Sequence, residues 1–366
     1  MLQRPPRDTR LDLLRGWLQL QIFASHAHGS LIGAWGISAA WGLSDSSEQF
    51  LYLSGFALGS VFVLKEHRGG RRAAWRDLMG RVARLYRTHL IVVCGFAALV
   101  IATEMAFRWP GETAAMGWSW LIAEPWLALP GAATLLYQPE YMGILPVFIL
   151  CMLALPLLIA GMERVGPLAL LPSLGLYAAV QAWGWHLPGL GGTEVEFNPL
   201  AWQILFALGA WFGRRALLRG RAVGRHPALL AAAALVLVAG LWVRLVEHGL
   251  IAGPALDLQA LMGKQDLALP RILHALALAY AVVTLIPPRP LTLRGWPAQA
   301  LAAAGRNSLN VFCLGLFFSY AAASLFRAFP GAAHWLDLPL VGGGALLLMA
   351  IAWVAERRRQ PEAAAR

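Results

Sequence analysis

Arg15 and His26 stand eleven residues apart in the apolar run RGWLQLQIFASHAHG, residues 15–29. Eleven steps of 100° bring a helix back to within about 20° of the same face, so Asp12, Arg15, Gln19, Ile22 and His26 form one stripe. Its two ends lie about 16 Å apart along the axis, more than half of a ~30 Å hydrocarbon core. A histidine at that depth can take or give a proton near neutral pH if a partner fixes its tautomer. The expected partner is Glu48, in GLSDSSEQFLYLSGF (42–56), with Asp45 in reserve and Ser46 or Ser47 as the cap of the helix starting there. Plain alternatives stand beside these roles: Arg15 as an interfacial arginine snorkelling to water, and Glu48 as a complement to the helix dipole. His28, 200° around the helix from His26, is the less suited of the two histidines.

A second polar group falls in later apolar stretches: Asn198, Trp202 and Gln203 in FNPLAWQ, then Arg271 and His274, three apart on one helical face. Asn198 before Pro199 reads equally well as an N-cap with proline at N1. Trp202 reads equally as an interfacial anchor. A third set, Arg84, Arg87, His89 and Arg306, lies near the ends of apolar runs on the strongly basic side of the chain. Cys94, Cys151 and Cys313 sit inside apolar runs without metal or redox spacing and read as buried hydrophobes.

The elements that must position these residues follow from composition. Of 366 residues, 58% are hydrophobic and 13% charged, and the mean hydropathy is +0.59. That balance belongs to an all-α, polytopic membrane bundle forming one domain over 1–366, not to a soluble domain. The net charge of +11 is therefore topological, and nucleic acid is excluded as a partner for want of a soluble basic face. About ten spans near the ~20-residue bilayer length fall at 11–32, 48–65, 85–107, 142–162, 166–185, 199–214, 226–246, 268–287, 305–327 and 338–355.

Arginine and lysine cluster in the tail 1–10, in the second and sixth connections and in the tail 356–366, and nearly vanish from the alternate connections. Both tails are thus expected in the cytoplasm. Residues 108–141, rich in Trp and Pro, are too broken to span and are expected at the outer interface or dipping back toward the bundle.

The Arg15, ten residues, His26 spacing resembles the signature of the broad acyltransferase-3 group of membrane acyltransferases. More closely, RLDLLRGWLQLQIFASHAHG with SDSSEQFLYLSG, then YMGILPVFILCMLALP, FNPLAWQILFALGAWFG, LPRILHALALAYAV and AAGRNSLNVFCLG resemble, in order, the OpgC family, implicated in succinylating osmoregulated periplasmic glucans. The resemblance implies a multi-pass enzyme of the bacterial inner membrane. It would move a succinyl or acetyl group from cytoplasmic acyl-CoA, without a metal, to a glucan or other envelope glycan.

On that reading His26, oriented by Glu48, acts as general base or briefly carries the acyl group, and Arg15, Arg84, Arg87, His89 and Arg306 face the donor's phosphates. Asp45, Asn198, Trp202, Gln203, Arg271 and His274 then line the acceptor side. Arg271 would hold a succinyl carboxylate and Trp202 would stack on a sugar. Membrane lipid and the glycan are the expected partners, and self-association is compatible with it.

Two departures from the family pattern stand out. Ser25 precedes the histidine where the family usually has Asp, and Gly143 stands where it has Asp before the fourth-span Leu-Pro. Glu140 is the nearby acid that would compensate. A transporter or flippase of a small solute or glycolipid, or a noncatalytic family member, are the rival readings.

Overall fold

The computed structural model describes residues 8–287 and 295–364, and among these it is helical with no strand. In chain order the helices are α1 (Thr9–Ser25), α2 (Leu31–Trp35), α3 (Ser46–Phe107), α4 (Glu112–Ala115), α5 (Ser119–Ala123), α6 (Pro125–Ala133), α7 (Ile144–Val165) and α8 (Leu171–Trp183). They continue with α9 (Pro199–Arg219), α10 (Pro227–Glu247), α11 (Leu258–Met262), α12 (Leu269–Leu285), α13 (Trp296–Arg306), α14 (Ser308–Ala328), α15 (Ala333–Asp337) and α16 (Gly343–Ala364). Arg4, Arg7 and Arg366 of the expected basic tails lie outside the described residues.

Five stretches are long and apolar enough to cross a membrane among the described residues: Ser46–Phe107, Ile144–Trp183, Pro227–Glu247, Ser308–Ala328 and Pro330–Arg358. The first, 62 residues long, contains both apolar runs expected at 48–65 and 85–107, and its helix is broken at Gly70, whose φ of 77° is open to glycine. The second likewise holds α7 and α8, joined by a 3₁₀ turn at Gly166–Leu170. The first apolar run departs from expectation: the helix stops at Ser25, not residue 32. Gly29 takes φ 94° and Ser30 caps the short α2, its Oγ accepting from Gly33 N at 2.8 Å. Residues 108–141 form the short helices α4 to α6, and there the Tyr137 hydroxyl donates to Gly117 O at 2.8 Å. Burial pushes that phenol up to about 12, so it remains a neutral donor.

Among the described residues the chain forms two compact units, one over 51–224 and 258–269, the other over the segment up to Phe50, 225–257 and the chain from Pro270 onward. In the first unit, α3 and α9 meet through two facing Gly-x-x-x-Gly pairs. A Cβ on Gly55 or Gly59 would lie 2.2 or 2.6 Å from Phe206 O or Ala210 O, and one on Gly209 or Gly213 would lie 2.2 or 2.0 Å from Tyr52 O or Phe56 O. Only glycine permits that backbone-on-backbone crossing.

The second unit is arranged around α1. Asp8 caps its first turn, accepting from Arg10 N at 3.0 Å, and Arg10 also donates to Val283 O and Ile286 O at 2.9 and 2.6 Å, closing the carbonyl end of α12. α1 crosses α13 as closely as α3 crosses α9: Cβ atoms on Gly16 and Gly305 would stand 2.0 and 1.9 Å from Leu301 O and Asp12 O. Phe23 then fills the space among α1, α14 and α16, with Ala303, Ala304, Phe326 and Leu348 in the same buried cluster. Ser319 Oγ donates to Phe23 O at 2.8 Å. All but the last two residues of α13 fall outside the ten expected spans, yet it is a principal neighbour of the helix that carries Arg15 and His26.

Candidate active site

His26 is the C-cap of α1, half-buried, with φ −93° and ψ −3°. Its Nδ1 lies 2.7 Å from Ile22 O, and because a carbonyl only accepts, Nδ1 carries the proton. That leaves Nε2 with the lone pair, the form a general base requires. Ser25 Oγ donates to the same carbonyl at 3.0 Å and lies 3.2 Å from Nδ1. The tautomer is therefore set by backbone, at the carbonyl end of α1. Arg15 is half-buried on the same helix, and His28 is exposed.

The chain just beyond His26 is pinned by a residue that no motif announced. Asp337, 6% exposed, accepts from Ser30 Oγ at 2.5 Å and from Ile32 N at 2.9 Å, holding the first turn of α2. A single acid at the end of a short helix carries no sequence signal, so only the structure reveals it.

The start of α3 builds the second cluster of this unit. The cap is Asp45, not Ser46 or Ser47: Asp45 Oδ1 accepts from Ser47 N at 2.6 Å, and Glu48 Oε2 reaches back to Asp45 N at 2.8 Å. This is a reciprocal capping box with Asp in the first position. Glu48, fully enclosed, also accepts from Arg271 Nε at 2.5 Å, and Arg271 NH2 reaches Asp45 Oδ2 at 3.1 Å. One guanidinium thus faces two carboxylates. Both carboxylates lie within reach of Arg271, which is thereby engaged inside the cluster.

His274 adjoins this cluster on α12 and is walled in. Ser44 Oγ is 2.8 Å from its Nδ1, and Cβ atoms on Gly42 and Gly240 would stand 2.5 and 2.7 Å from its Cε1 and Cδ2. The loop carrying Gly42 is tied to the end of α10. Arg244 donates to Gly42 O at 3.1 Å and to Ala39 O and is paired with Glu247, while His248 Nε2 bonds Ala40 O at 2.9 Å. Arg244 and His248 went unremarked in the sequence because nothing in their local pattern distinguishes them from other polar residues near a helix end.

In the first unit, Asn198 caps α9, its Oδ1 accepting from Leu200 N at 3.1 Å, while its Nδ2 donates to Trp185 O at 2.7 Å and Asp266 Oδ1 at 2.9 Å. Trp202 is fully enclosed and donates to Lys264 O and Gln265 O at 3.0 and 3.1 Å, so it presents no ring face to a sugar. Gln203 donates to Ser173 O at 2.8 Å. These three residues fasten the turn before α12 and the start of α8 to α9, and they belong to a different unit from Arg271 and His274.

Gly143 has an unexpected neighbour: a Cβ there would lie 3.2 Å from Glu196 Oε2. Glu196, exposed like Glu140 and 3.9 Å from Lys264 Nζ, brings a carboxylate near the start of α7, where negative charge suits the helix.

The residues expected to face donor phosphates are dispersed. Arg84 and Arg87 are exposed on α3. His89 is fully enclosed, with neither ring nitrogen bonded among the described residues. Arg306, in the other unit, donates to Glu356 at 2.6 Å and lies 3.7 Å from Asp12.

No curated protein and no solved structure matches the chain. A family profile described as OpgC protein matches residues 7–360, nearly the whole length. The order of motifs and the helical architecture agree with that match, and the chain belongs to the OpgC family.

Proposed function

We propose that this OpgC-family chain is a multi-pass O-acyltransferase of the bacterial inner membrane. It crosses the bilayer about ten times with both termini in the cytoplasm, α3 supplying two crossings on either side of Gly70 and α7 and α8 one each. It moves a short acyl group, succinyl or acetyl, from cytoplasmic acyl-CoA to a hydroxyl of a periplasmic glucan or related envelope glycan. The observation that carries the chemistry is the Nδ1 contact of His26 with Ile22 O.

With its proton held at Nδ1, His26 accepts the acceptor's hydroxyl proton at Nε2 as the oxygen attacks the thioester carbonyl. The C–S bond then breaks, and the departing thiolate takes that proton back from the imidazolium. Arg15, about 16 Å away toward the start of α1, meets the donor's phosphates. Asp45, Glu48 and Arg271 are positioning residues that hold the start of α3 against α12.

The test is mass spectrometry of periplasmic glucans from a deletion strain complemented with wild type or His26→Ala. Loss of the acyl groups with the alanine variant is expected, and their unchanged persistence would sink the role of His26. Purified wild-type protein that moves a solute yet neither binds nor consumes acyl-CoA would instead mark a transporter.

A further inference from the structure

Gln19 lies on the α1 stripe between Arg15 and His26 and is 1% exposed, and neither its amide nitrogen nor its amide oxygen meets a hydrogen-bond partner among the described residues. α13, the helix packed most closely on α1, supplies Gln19 no partner, since its buried residues are Ala300, Ala302, Ala303, Ala304 and Gly305, whose side chains can neither donate nor accept. A buried amide left without partners is unfavourable, so it marks a place where something polar belongs. It presents one donor and one acceptor side by side, which is the complement of another amide.

Position on the helix narrows the ligand. Gln19 is four residues from Arg15 and seven from His26, about 6 Å and about 10 Å along the axis. A ligand aligned with the stripe would carry an anion at one end, an amide about 6 Å further and its reacting centre about 10 Å beyond that. The pantetheine arm of coenzyme A has this layout. About thirteen bonds separate its phosphorus from its sulfur, roughly 16 Å at the ~1.2 Å per bond of an extended chain, and the amide nearer the phosphates begins about 6 Å along it.

We infer that Gln19 recognises that amide, holding the donor's arm along α1 with its phosphates at Arg15 and its thioester at His26. The assignment rests on the acyl-CoA reading above and adds the substrate portion that Gln19 reads.

The test uses the full chain in nanodiscs, with binding followed by calorimetry. The probes are coenzyme A, 3′-phospho-ADP, which lacks the arm, and a coenzyme A analogue with an ester in place of that amide. Gln19→Leu should weaken coenzyme A about tenfold, the loss of one well-made hydrogen-bond pair, and leave 3′-phospho-ADP unchanged. Wild type should lose a similar factor on the ester analogue, a comparison that needs no folded variant, and Gln19→Leu should treat analogue and parent alike. In turnover the loss should fall on the donor KM with kcat little changed. Equal binding of coenzyme A by wild type and Gln19→Leu overturns the assignment, as does equal weakening of both nucleotide probes. Wild type that binds 3′-phospho-ADP and coenzyme A with equal affinity overturns it while leaving the acyl-CoA reading intact, and wild type that binds neither ends that reading and the assignment with it.

Discussion

Glu48 is fully enclosed and its charge is met by Arg271, so the pair is held less by its own attraction than by the cost of leaving either member alone. Arg271→Ala should cost about 3–5 kcal/mol, read as a fall in the denaturation midpoint in detergent, while Arg271→Leu with Glu48→Leu should recover much of it. A double variant as unstable as the single one would refute the pairing argument. Ser25→Ala, by contrast, should keep acyl transfer within about threefold of wild type, because Ile22 O alone sets the His26 tautomer. A loss beyond ~100-fold would show that the hydroxyl does what the backbone is credited with here. Most of these side chains were legible one by one, because each is an ionisable group in an apolar run. Their pairing was not: Glu48 and Arg271 are 223 residues apart in sequence, and nothing local reports a contact at that separation.

The helical character of the apolar runs was largely readable, but their ends were less so, since α1 stops at Ser25 and α3 continues from Ser46 to Phe107 across two expected spans, and the errors lie where length and apolarity are poor guides. α13 has only 11 residues and is dominated by alanine, so no hydropathy argument selects it, yet its smallness is what lets α1 approach through Gly16 and Gly305. The glycines of α3 and α9 did carry a signal, Gly-x-x-x-Gly in each, although their facing one another is a fact of the fold. Gly209→Val should strain this crossing by about 1–3 kcal/mol or more, because its Cβ would stand 2.2 Å from Tyr52 O. A variant melting as wild type would mean that α3 and α9 part without loss.

At the scale of the whole molecule, the charge pattern makes a prediction about sidedness. In a background lacking Cys94, Cys151 and Cys313, cysteines placed at the exposed positions Arg72 and Arg221 should react with an impermeant maleimide only from the cytoplasmic side, and one at Glu194 only from the periplasm. Labelling of all three from one side would break the proposed topology. The alternation of arginines supports this much from sequence, whereas the division into two compact units, each assembled from segments far apart in the chain, carries no local signal.

The carboxylate that Glu196 sets against Gly143 reaches beyond this one chain. A second acid beside Glu196 would compete for Lys264, so Gly143→Asp should be less well tolerated alone than with Glu196→Gln, a departure from additivity that marks the two positions as coupled. Positions 143 and 196 would then behave as alternative addresses for a single negative charge. Family members with Asp at the first should lack an acid at the second, and a motif scored column by column would count as lost a group that has only moved.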